Sequence, residues 1–294
     1  MGMKIETAVA YGQSKEVGIY ALASVAYALA AGGVTEYEVQ VRIMIPAYAY
    51  KSRIHTMEKI MKKACEGCGI LLQDIRSERS NVITQSMVVV TGCGIVEGNY
   101  RVCADAEKCK SLNEENMVAT DIVLTKWIGM EGMLRILDEK EAELKTRFST
   151  SILKQMTAYK SQIFAQKEIA LARQNGVSKI CQVGEGGIFA ALWNLAKETE
   201  SGLEVDLKKI PVLQETVEVC EFFKLNPYQL ASAGALLMIA EDGEALVNEL
   251  QEQGIPAVLI GKLTDNNDKI LKNGEEVRYI DRPAPDEIMK LFEE

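Results

Sequence analysis

The sequence predicts an α+β protein of two domains, an N-terminal sheet domain and a C-terminal domain built on a mixed sheet. Three observations predict it. Segments that alternate apolar and polar residues are interleaved with segments of helical period along the 294-residue chain. A polar, weakly periodic stretch over 97–119, carrying Glu107, Lys108, Lys110, Asn113, Glu114, Glu115 and Asn116, divides the two halves. An apolar fraction of 48% against 26% charged residues supplies a core of ordinary size. These place the domains at 1–112 and 118–294, each long enough to fold around its own core.

In the first half, 16–31 reads as a helix that is apolar on most faces, with small residues that permit close packing. Residues 36–45 set Tyr37, Val39, Val41, Ile43 and Ile45 against Glu38, Gln40 and Arg42, the pattern of a half-buried strand, and Pro46 ends it. A helix over 51–66 gathers Ile54, Met57, Ile60, Met61 and Ala64 on one face. Strands follow near 70–77 and 83–96. In the second half a strand at 121–125 precedes a helix from Gly132 to about Leu144 and one long helical stretch over 149–175, capped by Gly176. Strands near 178–183, 203–206, 234–240, 256–263 and 276–280 then alternate with helices near 188–199, 214–223, 242–253 and 285–293.

Composition excludes several classes. A net charge of −9 argues against nucleic acid and anionic membranes, since both call for a basic face. No apolar run reaches a membrane span; the nearest, 17–34, is built mainly of Ala, Gly, Tyr and Ser. The start, Met1-Gly2-Met3-Lys4, lacks a signal-peptide layout, so the expectation is a cytoplasmic protein. A single histidine, His55, rules out triads and multi-histidine metal sites. Seven cysteines in a chain of this length do not make a disulfide scaffold. Cys65-x-x-Cys68 with Cys103 and Cys109 would supply four thiolates to a metal, against the plainer reading of core and linker cysteines.

The chemistry concentrates in 180–240. A strand over Ile180-Cys181-Gln182-Val183 runs into Gly184-Glu185-Gly186-Gly187 and then an apolar helix. A glycine loop before a helix N-terminus offers backbone N–H groups and the positive dipole end to an anion. The plainer reading is a tight strand-to-helix turn, and Glu185 puts negative charge where an anion would sit. Lys126, at the end of the 121–125 strand, can meet a phosphate or lie along the surface. Asn226-Pro227 and Ser232-Gly234 read as a turn and a close-packed strand start.

Asp121-Ile122-Val123-Leu124-Thr125-Lys126-Trp127-Ile128-Gly129-Met130-Glu131-Gly132, the Glu185-Gly186-Gly187 loop, Leu203-Glu204-Val205-Asp206 and the run from Asn226 to Leu237 together resemble, in order and spacing, the aminoimidazole-ribonucleotide synthetase superfamily. The flavour is closest to its hydrogenase-maturation branch. The resemblance is specific over about 118–282 and weaker over 16–98. It implies an N-terminal domain whose strands join a partner's across a homodimer, a C-terminal α+β domain, and ATP with magnesium bound between the domains for activation of an amide-like oxygen.

Departures from the family pattern bear on that activity. An early acidic segment reduces to Glu6 within Ile5-Glu6-Thr7-Ala8-Val9, and the Asn-Asp of the first helix falls at Ala26-Tyr27. The Gly-Gly-His-Thr-Glu motif falls at Asp74-Ile75-Arg76-Ser77-Glu78, and His-Asp becomes Cys181-Gln182. The chain ends Leu291-Phe292-Glu293-Glu294, without the terminal cysteine of the hydrogenase-maturation branch. Magnesium beside a triphosphate needs carboxylates that Gln182 and Ala26 do not supply. The expectation is a degenerate MgATP site that binds a small anionic or nucleotide-like ligand, or serves as a scaffold. No catalytic residue and no metal ligand is assigned. The candidate binding set is Gly184, Glu185, Gly186, Gly187, Lys126, Arg76, Ser77 and Glu78, with Arg76 able to pair with Glu78 or bind an anion directly. The alternatives are an active ATP-dependent synthetase or dehydratase with rearranged ligands, in which Glu78, Glu131, Glu185, Asp206 and Asp74 rebuild the site, and a cysteine-ligated metal or redox protein.

Overall fold

A computed structural model describes residues 2–96 and 121–291. The 97–119 linker, Cys103 and Cys109 lie outside the described residues. The described chain forms two compact units, the first taking in residues up to 96 with 134–157, the second 121–133 with 158–291. Each carries one sheet, which bears out the α+β reading.

In the first unit, β1 (Met3–Gly12), α1 (Gly18–Ala31), β2 (Val34–Pro46), α2 (Lys51–Gly67), β3 (Leu71–Ser80) and β4 (Ser86–Val96) build a sheet of order β1-β4-β2-β3. β4 runs antiparallel to both β1 and β2, while β3 is parallel to β2, the crossover being α2. Period-2 alternation in β2 sends Val39, Val41, Ile43 and Ile45 to the helix-covered face, where all four are fully buried. Leu22 and Leu29 of α1 meet them there with no exposed surface, each contributing about 2 kcal/mol of burial.

The opposite face of this sheet is open. Register places Met3, Ile5, Thr7, Val9 and Tyr11 of β1 on it, beside Met87, Val89, Thr91, Cys93 and Ile95 of β4. β1 was not expected from the sequence as a strand, and its burial is inverted. Ala8 and Ala10 face the helices, while Met3, Ile5 and Val9 are 71%, 61% and 53% exposed.

In the second unit, β5 (Asp121–Thr125), β6 (Lys179–Gln182), β7 (Gly202–Asp206), β8 (Leu236–Ala240), β9 (Ala257–Thr264), β10 (Lys269–Asn273) and β11 (Glu276–Tyr279) form a mixed sheet of order β11-β10-β7-β9-β5-β8-β6. Only β10 and β7 are parallel neighbours. The core joins Ile122, Leu124, Leu203, Val205, Leu237 and Ile239 of the strands to Ile188, Leu192 and Leu195 of one helix. The helices are α3 (Met130–Glu139), α4 (Glu141–Leu144), α5 (Thr150–Ala158), α6 (Gln166–Gln174), α7 (Gly187–Glu198), α8 (Gln214–Phe223) and α9 (Gly243–Glu252). Leu134 onward in α3, with α4 and most of α5, groups with the first unit. There Glu139 accepts the backbone N–H groups of Gln13 and Ser14, both at 2.7 Å.

Several expectations need correction. The helix expected from Gly132 to about Leu144 is two helices, Met130–Glu139 and Glu141–Leu144, broken at Lys140. The helix expected over 149–175 is two helices separated by a 3₁₀ turn, Tyr159–Ile163, and an extended Phe164. The terminal helix expected over 285–293 is a 3₁₀ turn, Glu287–Leu291. β10 was not expected. Among the described residues no helix is long and apolar enough to cross a membrane.

Candidate functional site

The glycine turn joins β6 to α7. Gly187 N–H donates to Gly184 O at 3.1 Å, closing a four-residue turn. Gly186 sits at φ 78°, ψ 4°, the conformation that glycine supplies without a Cβ penalty. Gly187 is also left-handed, at φ 68°, and a Cβ there would lie 2.4 Å from Tyr228 O. Both glycines thus answer to backbone shape and to the close approach of the 226–229 segment. That segment is a capped 3₁₀ turn, Pro227–Gln229: Asn226 Oδ1 accepts Tyr228 N–H at 3.1 Å, and the Tyr228 ring stacks on Phe189 of α7 at 5.3 Å. Asn226-Pro227 and Ser232-Gly234 therefore form the expected turn and close-packed strand entry. Ser232 is fully buried and accepts Gly129 N–H at 2.6 Å through its hydroxyl.

The turn holds an anion, and the anion belongs to the chain. Asp286 is 3% exposed, and its Oδ2 accepts the N–H of Gly186 at 3.1 Å and of Ala231 at 2.8 Å, while its Oδ1 accepts Ile288 N–H at 3.0 Å. The next residue continues the docking, with Glu287 Oε2 accepting Asn226 N–H at 3.1 Å and both Glu287 oxygens held by Lys290. A carboxylate at a helix N-terminus is favoured by the dipole, and charge-assisted bonds to N–H groups contribute about 1.5–3 kcal/mol each. Asp286 and Glu287 were missed in the sequence because they lie far along the chain, after a proline-rich stretch with no periodic signal.

Gly184 completes the turn, and the Glu185 side chain points to solvent. Lys126 does not lie along the surface. Left-handed at φ 55° and 3% exposed, its ammonium donates to Gln162 O at 2.7 Å and Phe164 O at 3.0 Å and pairs with Glu168 Oε1 at 2.7 Å. Burial pulls its pKa below the ordinary lysine value, and Glu168 opposes that. All three ammonium hydrogens have protein acceptors, so Lys126 is a staple between the end of β5 and the break before α6.

In the first unit, Arg76, Ser77 and Glu78 are consecutive on β3, so the period of two parts them. Arg76 and Glu78 lie on the open face. Ser77 lies on the helix face, where its hydroxyl donates to Glu58 Oε1 at 2.7 Å. Arg76 pairs with Asp74 at 3.0 Å, not with Glu78, and Asp74 also takes Arg42 at 3.1 Å. Ala26 is buried in α1, and Glu6 pairs with Lys4 at 3.2 Å. Cys181 packs against the second unit's core, and burial pushes its thiol up to about 11. Burial also raises Cys65 to about 11. Among the described residues no three His, Cys, Asp or Glu side chains converge as a metal site.

The model of the AIR synthase related protein, C-terminal domain, matches residues 121–272, just over half of the chain. The chain belongs to the AIR synthase related family. The match begins at β5 and takes in the glycine turn, so the resemblance and the site coincide. This AIR synthase related protein is 20% identical over 282 residues to a protein of Methanocaldococcus jannaschii described as a hydrogenase expression/formation protein, covering 94% of this chain and 79% of the relative. In fold it is similar to the hydrogenase maturation protein HypE of E. coli, with a TM-score of 0.74 at 16% identity, covering 98% of this chain and 88% of HypE. A HypE in complex with ATP aligns with a TM-score of 0.72 at 15% identity, covering 98% of this chain and 87% of that one.

Proposed function

We propose that this AIR synthase related protein is a hydrogenase-maturation-like family member with a degenerate MgATP site. In this reading it works as a homodimer that binds a small anionic or nucleotide-like ligand, or holds a maturation partner, and does not turn over ATP. The observation that carries the reading is Asp286. The Gly186 N–H, which the glycine turn would offer to a phosphate, already bonds to a buried carboxylate, and that carboxylate is held in place by the Ala231 N–H as well. A triphosphate there would have to displace a carboxylate, against like-charge repulsion, and break bonds that the helix dipole favours. Absence of the family's acidic residues at Gln182 and at Ala26-Tyr27 points the same way, since magnesium requires hard oxygen donors.

The homodimer reading is supported by the open face of the first sheet. Met3, Ile5 and Val9 form an apolar stripe on an edge strand, and uncovered edges of this kind invite pairing with another chain. A second copy covers both the stripe and the edge.

The test of the enzymatic part is release of phosphate from MgATP by the purified full chain. The reading expects no release above the buffer rate. Sustained release, abolished by removing magnesium, would establish the active synthetase or dehydratase instead.

A further inference from the structure

A groove of about 800 Å³ lies at the C-terminal end of α7, at the other end of that helix from the glycine turn. Lys197, Lys269 and Arg282 line it together with Trp193, Asn267 and Glu200. Three cations against one carboxylate are unusual on a chain of net charge −9. Among the described residues Lys197 and Arg282 form no ion pair, and the Lys269 ammonium stands over the Trp193 ring at 4.8 Å. The helix C-terminus contributes roughly half a negative charge, which a lining of net two positive charges outweighs.

The walls are preorganised. Asn266 Oδ1 accepts Thr264 Oγ1–H at 2.8 Å and Asp268 N–H at 3.0 Å, fixing the β9–β10 loop. The backbone around Lys269 is held on both sides, by Leu203 N–H to Asp268 O and by Ile280 N–H to Lys269 O, each at 2.8 Å. Ser201 is buried, and its hydroxyl donates to Thr199 O at 3.0 Å. Glu200 is left-handed at φ 50°, a conformation unfavourable for a residue with a Cβ, and it puts a carboxylate at a helix C-terminus where the dipole opposes it. Strained residues of this kind collect at ligand sites, where surrounding structure holds them in place.

We propose that this groove is a binding site for a compact phosphate-bearing small molecule, recognised by the Arg282 fork and the Lys197 and Lys269 ammonium groups, with Glu200 setting an upper limit on affinity. The site is separate from the glycine turn and does not depend on the reading of that turn.

Calorimetric titration of the full chain with inorganic pyrophosphate, at low ionic strength and without magnesium, tests it. Saturable binding is expected. Lys269→Ala and Arg282→Ala each weaken it about tenfold, the loss of one charge-assisted contact. Glu200→Gln tightens it, since it removes the one carboxylate from the lining. Lys62→Ala, on the exposed side of α2, leaves it unchanged. Circular dichroism verifies that each variant is folded. Absence of saturable binding at millimolar pyrophosphate would overturn the proposal, as would equal weakening by Lys62→Ala, which would mean diffuse attraction rather than a site.

Discussion

Three backbone N–H groups converge on the Asp286 carboxylate, and that convergence changes what the glycine turn can do. The turn itself was legible from sequence because its cause is local. Left-handed backbone at Gly186 and Gly187, and the approach of Tyr228 O to Gly187, admit no side chain. Its occupant was not legible, because nothing in Pro285-Asp286-Glu287 signals contact with a turn so distant in the chain. Lys126 shows the same division. The resemblance marks the residue, yet only the fold reveals that Gln162 O, Phe164 O and Glu168 take its three hydrogens. Buried thiols supply a prediction at this scale. Cys65 and Cys220 are each 1% exposed, and burial first, then nearby Cys68 and Glu66 for Cys65 and Glu287 for Cys220, push them from 9.0 to about 11 and about 12. Because the folded values lie above the unfolded one, the native state retains protons that the unfolded chain releases above pH 9. Their contribution is whole below pH 9 and lost as pH rises toward 11, with a slope approaching about 1.4 kcal/mol per pH unit for each thiol. Urea unfolding across that window should show the loss, and Cys65→Ala/Cys220→Ala should flatten it. An equal loss in that variant would assign the effect to other groups.

At the scale of elements, period and punctuation carried most of the reading. β2, α2, β5 and α8 fall within two residues of expectation, since each has a clear apolar face and a local stop such as Pro46. β1 escaped because its apolar residues face away from the helices, so its pattern has no matching core inside the unit. The break between α5 and α6 escaped because its cause is tertiary. The carbonyls of Gln162 and Phe164 leave the helical pattern to accept Lys126, and helical period alone cannot signal that. The buried pair behind this break yields a prediction. Lys126→Met leaves Glu168 charged and buried at 4% exposure, and destabilises the chain by about 3–5 kcal/mol. Lys126→Met/Glu168→Leu, which removes both charges, should recover most of that in chemical unfolding. A double variant as unstable as the single would show that the carbonyl contacts, not the pairing, dominate.

At the scale of the whole molecule, the family match covers 121–272, from β5 into β10. Among the described residues, the first sheet's open face exposes Met3, Ile5, Val9 and Ile95 by more than half each. If a second copy covers it, light scattering at micromolar concentration gives twice the chain mass, and Ile5→Lys/Val9→Lys gives the monomer with the fold intact by circular dichroism. A monomeric parent chain would contradict the dimer. Nucleotide binding tests most directly the proposal that the chain's own Asp286 carboxylate closes the glycine turn to a phosphate. The direct measurement is calorimetric titration of ATP into the Lys269→Ala/Arg282→Ala chain, which lacks the basic groove, with and without magnesium. No saturable binding is expected in either condition. Saturable binding that appears only with magnesium would contradict the proposal, because it would place a metal–triphosphate complex in a site where Asp286 already sits.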